Sequence, residues 1–198
     1  MNKTLHKLRT AVIGLGRIGW LFHLPQLAAN DKFELVGVAD TLEERLRDAA
    51  SHFGVRGYLD YKKMLAEQKP DLVVVASPTP FHKEQTIAAF DIGADVFCEK
   101  PVTMNLEQLD DIIKAASAAG RKFMTYQPYR AFSETLSLKD ILSRNLIGDV
   151  YMIRRNWFEY TRRNDWQSLK KYGGGMLYNY GAHFVDQLLY LSDYKARK

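Results

Sequence analysis

Three glycines near the start of the chain have the spacing of a phosphate-binding turn. Gly14, Gly16 and Gly19 follow the apolar run Ala11–Ile13 in the pattern G-x-G-x-x-G. In such a turn the first glycine permits a tight bend, the second lets the backbone approach a pyrophosphate, and the third lets a helix pack on its strand. Asp40 ends the next apolar run, about 20 residues later, where a carboxylate can accept hydrogen bonds from an adenosine ribose. The spacing favours a dinucleotide site over a purely structural turn.

Polar residues also follow the next predicted strand. Ser77, Thr79 and His82 come directly after the apolar run Leu72–Ala76, so they lie at the carboxyl end of that strand, beside the glycine turn. The side chains of Thr79 and His82 could donate hydrogen bonds to ribose or phosphate oxygens. The alternative is that the prolines of this segment only shape a turn and that His82 caps or packs a helix.

Glu99 and Lys100 end a further predicted strand, directly before Pro101. Proline restricts the preceding residue to an extended backbone, so Lys100 can direct its ammonium group into the crevice at the strand ends. An ammonium group there could hydrogen-bond a substrate hydroxyl and stabilise alkoxide character as a hydride leaves the carbon. A solvated lysine paired with Glu99 is the alternative. We predict that the dinucleotide contacts Gly14, Gly16, Arg17, Ile18, Gly19, Asp40, Ser77, Thr79, His82, Glu99 and Lys100.

A predicted helix near residue 180 carries a second group with suitable chemistry. Asn179 and His183 are four residues apart and Asp186 follows three residues later, so the three share one helix face. Imidazole has the pKa to take a proton from an alcohol near neutral pH, and Asp186 could orient it. A structural histidine is the alternative.

Alternating strand and helix patterns position these groups up to about residue 126. Repeated βα units imply an α/β fold with a doubly wound parallel sheet, covered on both faces, whose ligands bind at the carboxyl ends of the strands. A helical pattern over Arg17–Ala29 follows the glycine turn. Apolar runs predict buried strands at Thr10–Ile13, Glu34–Ala39, Leu72–Ala76, Asp95–Cys98 and Lys122–Tyr126.

The pattern changes after residue 127, which divides the sequence into a dinucleotide-binding domain, 1–127, and the beginning of a second domain, 128–198. The second part predicts a helix at Ser133–Arg144, a strand at Val150–Tyr160 and a helix at Met176–Leu191. A single strand cannot form a stable sheet, so we expect the chain to end inside its second domain.

The composition narrows the class of protein. With 198 residues, 46% hydrophobic and 26% charged, the chain is typical of a soluble globular protein with one full domain and part of another. No apolar run can cross a bilayer, and the lysines and arginines are scattered despite a net charge of +5, so neither a membrane nor a nucleic acid is a predicted partner. The single cysteine, Cys98, fits a reducing cytoplasm, and no metal site is predicted.

In this order the motifs resemble the glucose–fructose oxidoreductase, inositol dehydrogenase and rhizopine-catabolism (Gfo/Idh/MocA) family of sugar and polyol dehydrogenases. The matching stretches are VIGLGRIGWLFHLP, VGVAD, ASPTPFH, VFCEKP and GGGMLYNYGAHFVDQLLYL. The resemblance implies an N-terminal Rossmann domain, NAD or NADP as cofactor, and a C-terminal domain whose open, mostly antiparallel sheet mediates dimers or tetramers. It also implies oxidation of a ring hydroxyl, or reduction of a keto group, on sugars and cyclitols, with Lys100 and His183 as catalytic residues.

One position departs from the family pattern. The family helix commonly reads D-x-G-x-H, and its aspartate falls on Asn179. An amide can position a substrate hydroxyl but cannot ionise, a loss on the order of 1.5–3 kcal/mol of charge-assisted hydrogen bonding. We predict Lys100, His183 and Asn179 as the catalytic residues of an NAD(P)-dependent sugar or polyol oxidoreductase. Asp40 favours NAD because a carboxylate repels the 2′-phosphate of NADP, and Arg45 lies too far along its helix to be assigned to that phosphate. The alternatives are a dinucleotide-binding sensor or assembly subunit without turnover, and a fragment without a function of its own.

Overall fold

The structure is a computed structural model that describes residues 7–193. The chain folds as two compact units, Met1–Tyr126 and Gln127–Lys198. The first unit holds a parallel sheet with its helices, and the described part of the second contains helices, turns and an irregular segment.

A fully parallel, six-stranded sheet forms the centre of the first unit. Continuous apolar runs are typical of strands that are buried on both faces, and each of the predicted runs forms a strand whose ends differ from the prediction by at most two residues. The spatial order is β3-β2-β1-β4-β5-β6, so the order reverses between β1 and β4, where sheets of this kind bind ligands. The edge strand β3 has only two residues and was not predicted. The strands are β1 (Leu8–Ile13), β2 (Phe33–Ala39), β3 (Gly57–Tyr58), β4 (Leu72–Val75), β5 (Asp95–Cys98) and β6 (Phe123–Thr125).

Helices cover both faces of this sheet. They are α1 (Leu24–Ala29), α2 (Glu43–Phe53), α3 (Tyr61–Gln68), α4 (His82–Asp91) and α5 (Leu106–Ala119). On β1, Ala11 and Ile13 belong to one buried apolar cluster and Val12 to another. Because successive side chains of a strand point to opposite faces, both faces of the sheet are buried, and the doubly wound arrangement is confirmed. Cys98 lies in the first cluster, where burial raises the pKa of its thiol.

The helix after the glycine turn covers residues 17–29, as predicted, but its middle part, Gly19–His23, is wound as a π-helix. The local cause is Pro25 in α1, which has no N–H to donate to the preceding turn and would clash with a carbonyl group there. A wider turn removes that conflict, and such π turns occur frequently at functional sites. This one ends at His23, whose side chain is buried.

In the second unit the helices α6 (Ser133–Ser143) and α7 (Ala182–Leu191) pack together. Gln187 of α7 donates a buried hydrogen bond to the hydroxyl of Thr135 in α6 at 2.7 Å. A second π turn, Leu177–Gly181, directly precedes α7, so helical backbone covers residues 176–191, the predicted range. Within residues 7–193 the longest α-helix is α5, with 14 residues, and none has the length and apolar character that crossing a bilayer requires.

The predicted strand Val150–Tyr160 is wrong. Residues 149–164 make no strand pairing within the described part of the chain. Alternation of apolar and polar residues indicates that a segment can form a strand, but a strand also needs the hydrogen bonds of a neighbour. Here the side chains of Tyr151, Phe158 and Tyr160 are more than nine-tenths exposed.

Candidate functional site

At two of the three glycines after β1, neighbouring atoms of the protein leave no room for a side chain. Gly14 has a φ of +95°, and a methyl group added there would lie 2.5 Å from the backbone nitrogen of Ser77. A methyl group on Gly19 would overlap the carbonyl oxygen of Gly14. Glycine at these positions allows the bend, the close approach of the turn to the end of β4, and the contact of the helix with the turn.

Gly16 is different. No atom of the described chain lies within 4 Å of the position that a Cβ atom would take there, and its φ is outside the left-handed region. The space in front of Gly16 is open, which is where a pyrophosphate approaches the backbone of such a turn. The N–H groups of the helix that begins here add the positive end of a helix dipole. The glycine turn therefore fits a dinucleotide phosphate.

Asp40, at the end of β2, is bound into this turn. Its Oδ2 accepts a hydrogen bond from the backbone N–H of Leu15 at 2.7 Å, and its Oδ1 accepts one from Leu42 at 3.0 Å. The guanidinium group of Arg45 lies 3.1 Å from Oδ2, so the carboxylate is partly neutralised by a residue that we had not assigned to the site. Arg45 also lies 3.4 Å from Oδ1, so protein donors approach both oxygens, and a ribose hydroxyl at Oδ1 would take the place of this long contact.

The polar side chains of the segment after β4 mainly face other parts of the protein. Ser77 is partly exposed at the carboxyl end of β4, and its hydroxyl donates to Oε1 of Gln85 at 2.6 Å. Thr79 is 1% exposed, and within the described chain its hydroxyl oxygen has no hydrogen-bond partner. Only Ser77 of these residues therefore presents surface to the crevice.

His82 connects two loops of the site. Its Nε2 lies 2.7 Å from the carbonyl oxygen of Ser77 and its Nδ1 lies 2.9 Å from that of Pro101. Burial lowers the pKa of His82. The two carbonyl oxygens favour the charged ring and raise the pKa, but the effect of burial is larger. The neutral ring donates to one of the two carbonyl groups. The side chains of Thr79 and His82 are both enclosed by the protein, and their contacts with ribose or phosphate stay predictions.

Glu99 supports Lys100 from inside the protein. Its Oε1 lies 2.8 Å from Nε2 of His23, and its Oε2 accepts a hydrogen bond from the backbone N–H of Lys100 at 3.2 Å. The ring of His23 packs edge-on against Phe97 and Tyr126, and burial together with the Glu99 carboxylate raises the pKa of Tyr126. Glu99 is buried, whereas Lys100 is partly exposed. The dinucleotide contacts of both residues stay predictions, and of the two only Lys100 presents surface.

His183 is buried in the second unit, on α7, among partners that we did not predict. Its Nδ1 lies 3.2 Å from Oε1 of Gln127, and its ring stacks on that of Tyr129 with centroids 4.5 Å apart. The predicted orienting residue, Asp186, pairs instead with the guanidinium group of Arg130, with Nε 2.8 Å from Oδ2. Gln127, and not Asp186, thus contacts His183.

Asn179 lies in the π turn before α7. Its Nδ2 donates to Oε1 of Gln167 at 3.4 Å, and the same oxygen accepts a hydrogen bond from Arg163. Arg163 also donates to the hydroxyl of Tyr180 at 3.1 Å. The Nδ2 group of Asn179 thus contacts Gln167, whereas Nδ1 of His183 contacts Gln127.

Three residues with a clear place in these arrangements were missed by the sequence analysis. His23 is the one polar residue in the stretch WLFHLP, which is a signal of a buried polar contact. Gln127 and Tyr129 follow β6 directly, as the predicted site residues follow their own strands. Their position after a strand could have identified Gln127 and Tyr129 as candidate site residues.

The strand order, together with the turn that is open at Gly16, defines the first unit as a Rossmann fold of the dinucleotide-binding class. Comparison with known families agrees. Residues 8–127 match the oxidoreductase family described as having an NAD-binding Rossmann fold, and residues 135–197 match the GFO/IDH/MocA C-terminal domain. The chain belongs to the Gfo/Idh/MocA oxidoreductase family, and the family prediction is confirmed.

Relatives with named activities agree with this assignment. D-glucoside 3-dehydrogenase of Escherichia coli is 30% identical over 98% of this chain and 57% of its own length. The NADP(+)-dependent scyllo-inositol 2-dehydrogenase IolW of Bacillus subtilis is 26% identical over 96% of this chain and 53% of its own length. The chain thus spans little more than half the length of these relatives.

A solved structure shows a similar fold with a cofactor bound. The WlbA dehydrogenase of Bordetella pertussis, in complex with NADH and UDP-GlcNAcA, is 28% identical. The match has a TM-score of 0.85 and covers 94% of this chain and 58% of that one. The prediction of an NAD-binding Rossmann unit is confirmed.

Proposed function

We propose that this chain carries the cofactor site and the catalytic residues of an NAD(P)-dependent oxidoreductase that acts on a sugar or polyol. The open space at Gly16, in a turn that otherwise requires its glycines, is the observation that most directly supports cofactor binding. The activities named for the glucoside and inositol dehydrogenases support the substrate class.

The proposed roles follow from the chemistry of each side chain. The ammonium group of Lys100 hydrogen-bonds the reacting hydroxyl and stabilises its alkoxide character. The imidazole of His183 accepts the hydroxyl proton, and the amide of Asn179 orients the substrate. Oxidised nicotinamide, when bound, supplies the acceptor for the hydride that leaves the substrate carbon. The proton and the hydride together account for both hydrogens and both electrons lost by the alcohol.

We propose NAD as the cofactor, with NADP tolerated. Asp40 offers a hydrogen-bond acceptor to a ribose hydroxyl, which favours NAD. Arg45 lies against the same carboxylate and reduces its repulsion of a 2′-phosphate. Titration of the chain with NADH and with NADPH, followed by fluorescence, measures the two affinities directly.

Three further aspects of the function remain predictions from the sequence. Self-association through the second domain, 128–198, as a dimer or tetramer, is implied by the family resemblance. A cytoplasmic location is suggested by the single buried cysteine, Cys98. Neither a membrane nor a nucleic acid is a proposed partner.

Replacement of Lys100 tests the proposed chemistry. A panel of sugars and inositols is screened with the full 198-residue chain and both cofactors, and the best substrate is used for the variants. We expect Lys100→Ala to lower kcat by about 100-fold or more while the Kd for NADH stays within about threefold, because the lysine acts on the reacting hydroxyl. Lys63→Ala, which removes an exposed lysine of α3, is the matched control.

Two outcomes would contradict this assignment. Unchanged turnover in Lys100→Ala would exclude the lysine from the mechanism. Tight NADH binding without turnover of any substrate, with activity gained in Asn179→Asp, would favour a family member that has lost its activity and acts as a sensor or assembly subunit.

A further inference from the structure

The ring plane of His183 is fixed by stacking. Its centroid lies 4.5 Å from that of Tyr129 with 15° between the planes, and its side chain is 8% exposed. Stacking of this kind restricts rotation of the ring. It does not determine which of the two nitrogens carries the proton, and that choice decides which nitrogen can act as a base.

The orientation of the Gln127 amide determines the proton position. Nε2 of Gln127 donates to the carbonyl oxygen of Ala182 at 3.5 Å. A carbonyl oxygen can only accept, so the NH₂ group of the amide must face it and Oε1 must face the other way. Oε1 lies 3.2 Å from Nδ1 of His183, and since Oε1 also can only accept, Nδ1 must carry the hydrogen.

The usual alternative, a carboxylate beside the imidazole, is not used here. Asp186 is on the same helix, but its two oxygens bind the guanidinium group of Arg130. A carboxylate favours the charged imidazolium form, whereas a neutral amide orients the ring without adding that bias. An amide partner therefore suits a histidine that must begin the reaction uncharged.

We propose that Gln127 is a positioning residue that holds His183 in the Nδ1-protonated tautomer, so that Nε2 bears the lone pair that accepts the substrate proton. The inference rests on the proposed function for the role of His183 as a base, but the tautomer itself follows from the contacts of Gln127. Oxidation of an alcohol then moves the hydroxyl proton to Nε2 and leaves the Nδ1–H hydrogen bond to Gln127 in place.

Imidazole ¹⁵N chemical shifts measure the tautomer without any substrate. The full chain, labelled with ¹⁵N-histidine, contains five histidines, and the signals that disappear in His183→Gln identify His183. Above the pKa of the ring we expect a protonated Nδ1 and an unprotonated Nε2. In Gln127→Leu the two nitrogens should approach equal, averaged shifts. In Gln127→Glu the Nδ1–H tautomer should persist, and the titration midpoint of His183 should rise by about 1 pH unit, because a carboxylate favours the charged ring.

Gln187→Leu is the matched control, because it removes another buried glutamine of this unit, whose hydrogen bond goes to Thr135. It should leave the His183 shifts unchanged. An Nε2-protonated ring in the unmodified chain would overturn the proposal, as would a Gln127→Leu variant with unmodified His183 shifts. If Gln127→Leu does not fold, the shifts of the unmodified chain and of Gln127→Glu decide the matter. Because no turnover is measured, failure of the proposed function would show in the kinetic screen and not in this experiment.

Discussion

At Gly14 and Gly19 the protein's own atoms exclude a side chain, whereas at Gly16 they do not. A substitution at Gly14 or Gly19 should therefore affect folding, whereas one at Gly16 should affect cofactor binding. A side chain at Gly19 must displace the backbone of the glycine turn, which is part of the folded structure. A side chain at Gly16 meets only the space that we assign to the cofactor.

We expect Gly16→Val to weaken NADH binding by at least about tenfold, because the added methyl groups occupy the position of the pyrophosphate. The free energy of unfolding should change by less than about 1 kcal/mol, since no protein atom lies within 4 Å of the added Cβ atom. Gly19→Ala should instead destabilise the chain by about 1–3 kcal/mol through overpacking. Fluorescence titration with NADH and urea unfolding measure the two effects. A Gly16→Val variant that binds NADH like the unmodified chain would contradict the assignment of this space.

Spacing along the sequence identified the glycines because their roles depend on neighbours in the same turn. It did not identify the partner of Glu99 or of His183, since these partners are 76 and 56 residues away. A polar residue within an apolar stretch, such as His23, indicates that some buried partner exists. Which partner it is depends on how strands and helices are arranged in space.

Between elements, the buried pair of His23 and Glu99 joins the π turn that follows the glycines to the end of β5. Each residue is 6% exposed. Removal of one member of a buried pair leaves the other without its partner in a low-dielectric environment, which costs more than removal of both. Disruption of this pair should therefore affect stability and the backbone position of Lys100.

We expect His23→Ala to lower the free energy of unfolding by about 3 kcal/mol, because the Glu99 carboxylate loses its partner. The double variant His23→Ala/Glu99→Gln should recover part of this loss, since a buried amide costs less than a buried charge. Urea unfolding of the full chain measures both variants, with His52→Ala on α2 as the exposed control. Losses that simply add in the double variant would show that the two side chains do not interact.

The sequence predicted some helices and strands correctly and missed or misassigned others. Buried parallel strands have long apolar runs, so their positions could be located from the sequence, whereas β3 is too short to show a pattern. The segment Val150–Tyr160 has a strand-like pattern but lacks a pairing neighbour in the described chain, and a pattern cannot reveal that. The π turn after the glycines depends on the local conflict at Pro25, and neither this π turn nor the one before α7 was predicted.

For the molecule as a whole, a buried neutral histidine makes stability depend on pH. The folded-state pKa of His82 lies below its ordinary value of 6.5. The unfolded chain therefore binds this proton more readily than the folded one. The stabilisation is fully present above pH 6.5 and is lost as the pH falls below 6.5 towards the folded-state pKa.

We expect the free energy of unfolding to decrease on acidification from pH 7 to pH 5.5, with a contribution from His82 of at most about 1.4 kcal/mol per pH unit. The contribution of His82 is isolated by a comparison between variants. His82→Asn should be less stable than the unmodified chain at pH 7 and should show a flatter pH dependence. His52→Asn should retain the slope of the unmodified chain. A His82→Asn variant whose slope is also unchanged would contradict the role of this histidine.

The parallel sheet is encoded in one uninterrupted stretch, and its central strand β1 comes first, with its neighbours β2 and β4 complete by residue 75. On the ribosome, the last strand of the sheet has been synthesised once residue 125 is added. The whole cofactor-binding sheet is thus encoded before Gln127, the residue that contacts His183, and its strands leave the ribosome ahead of the second unit.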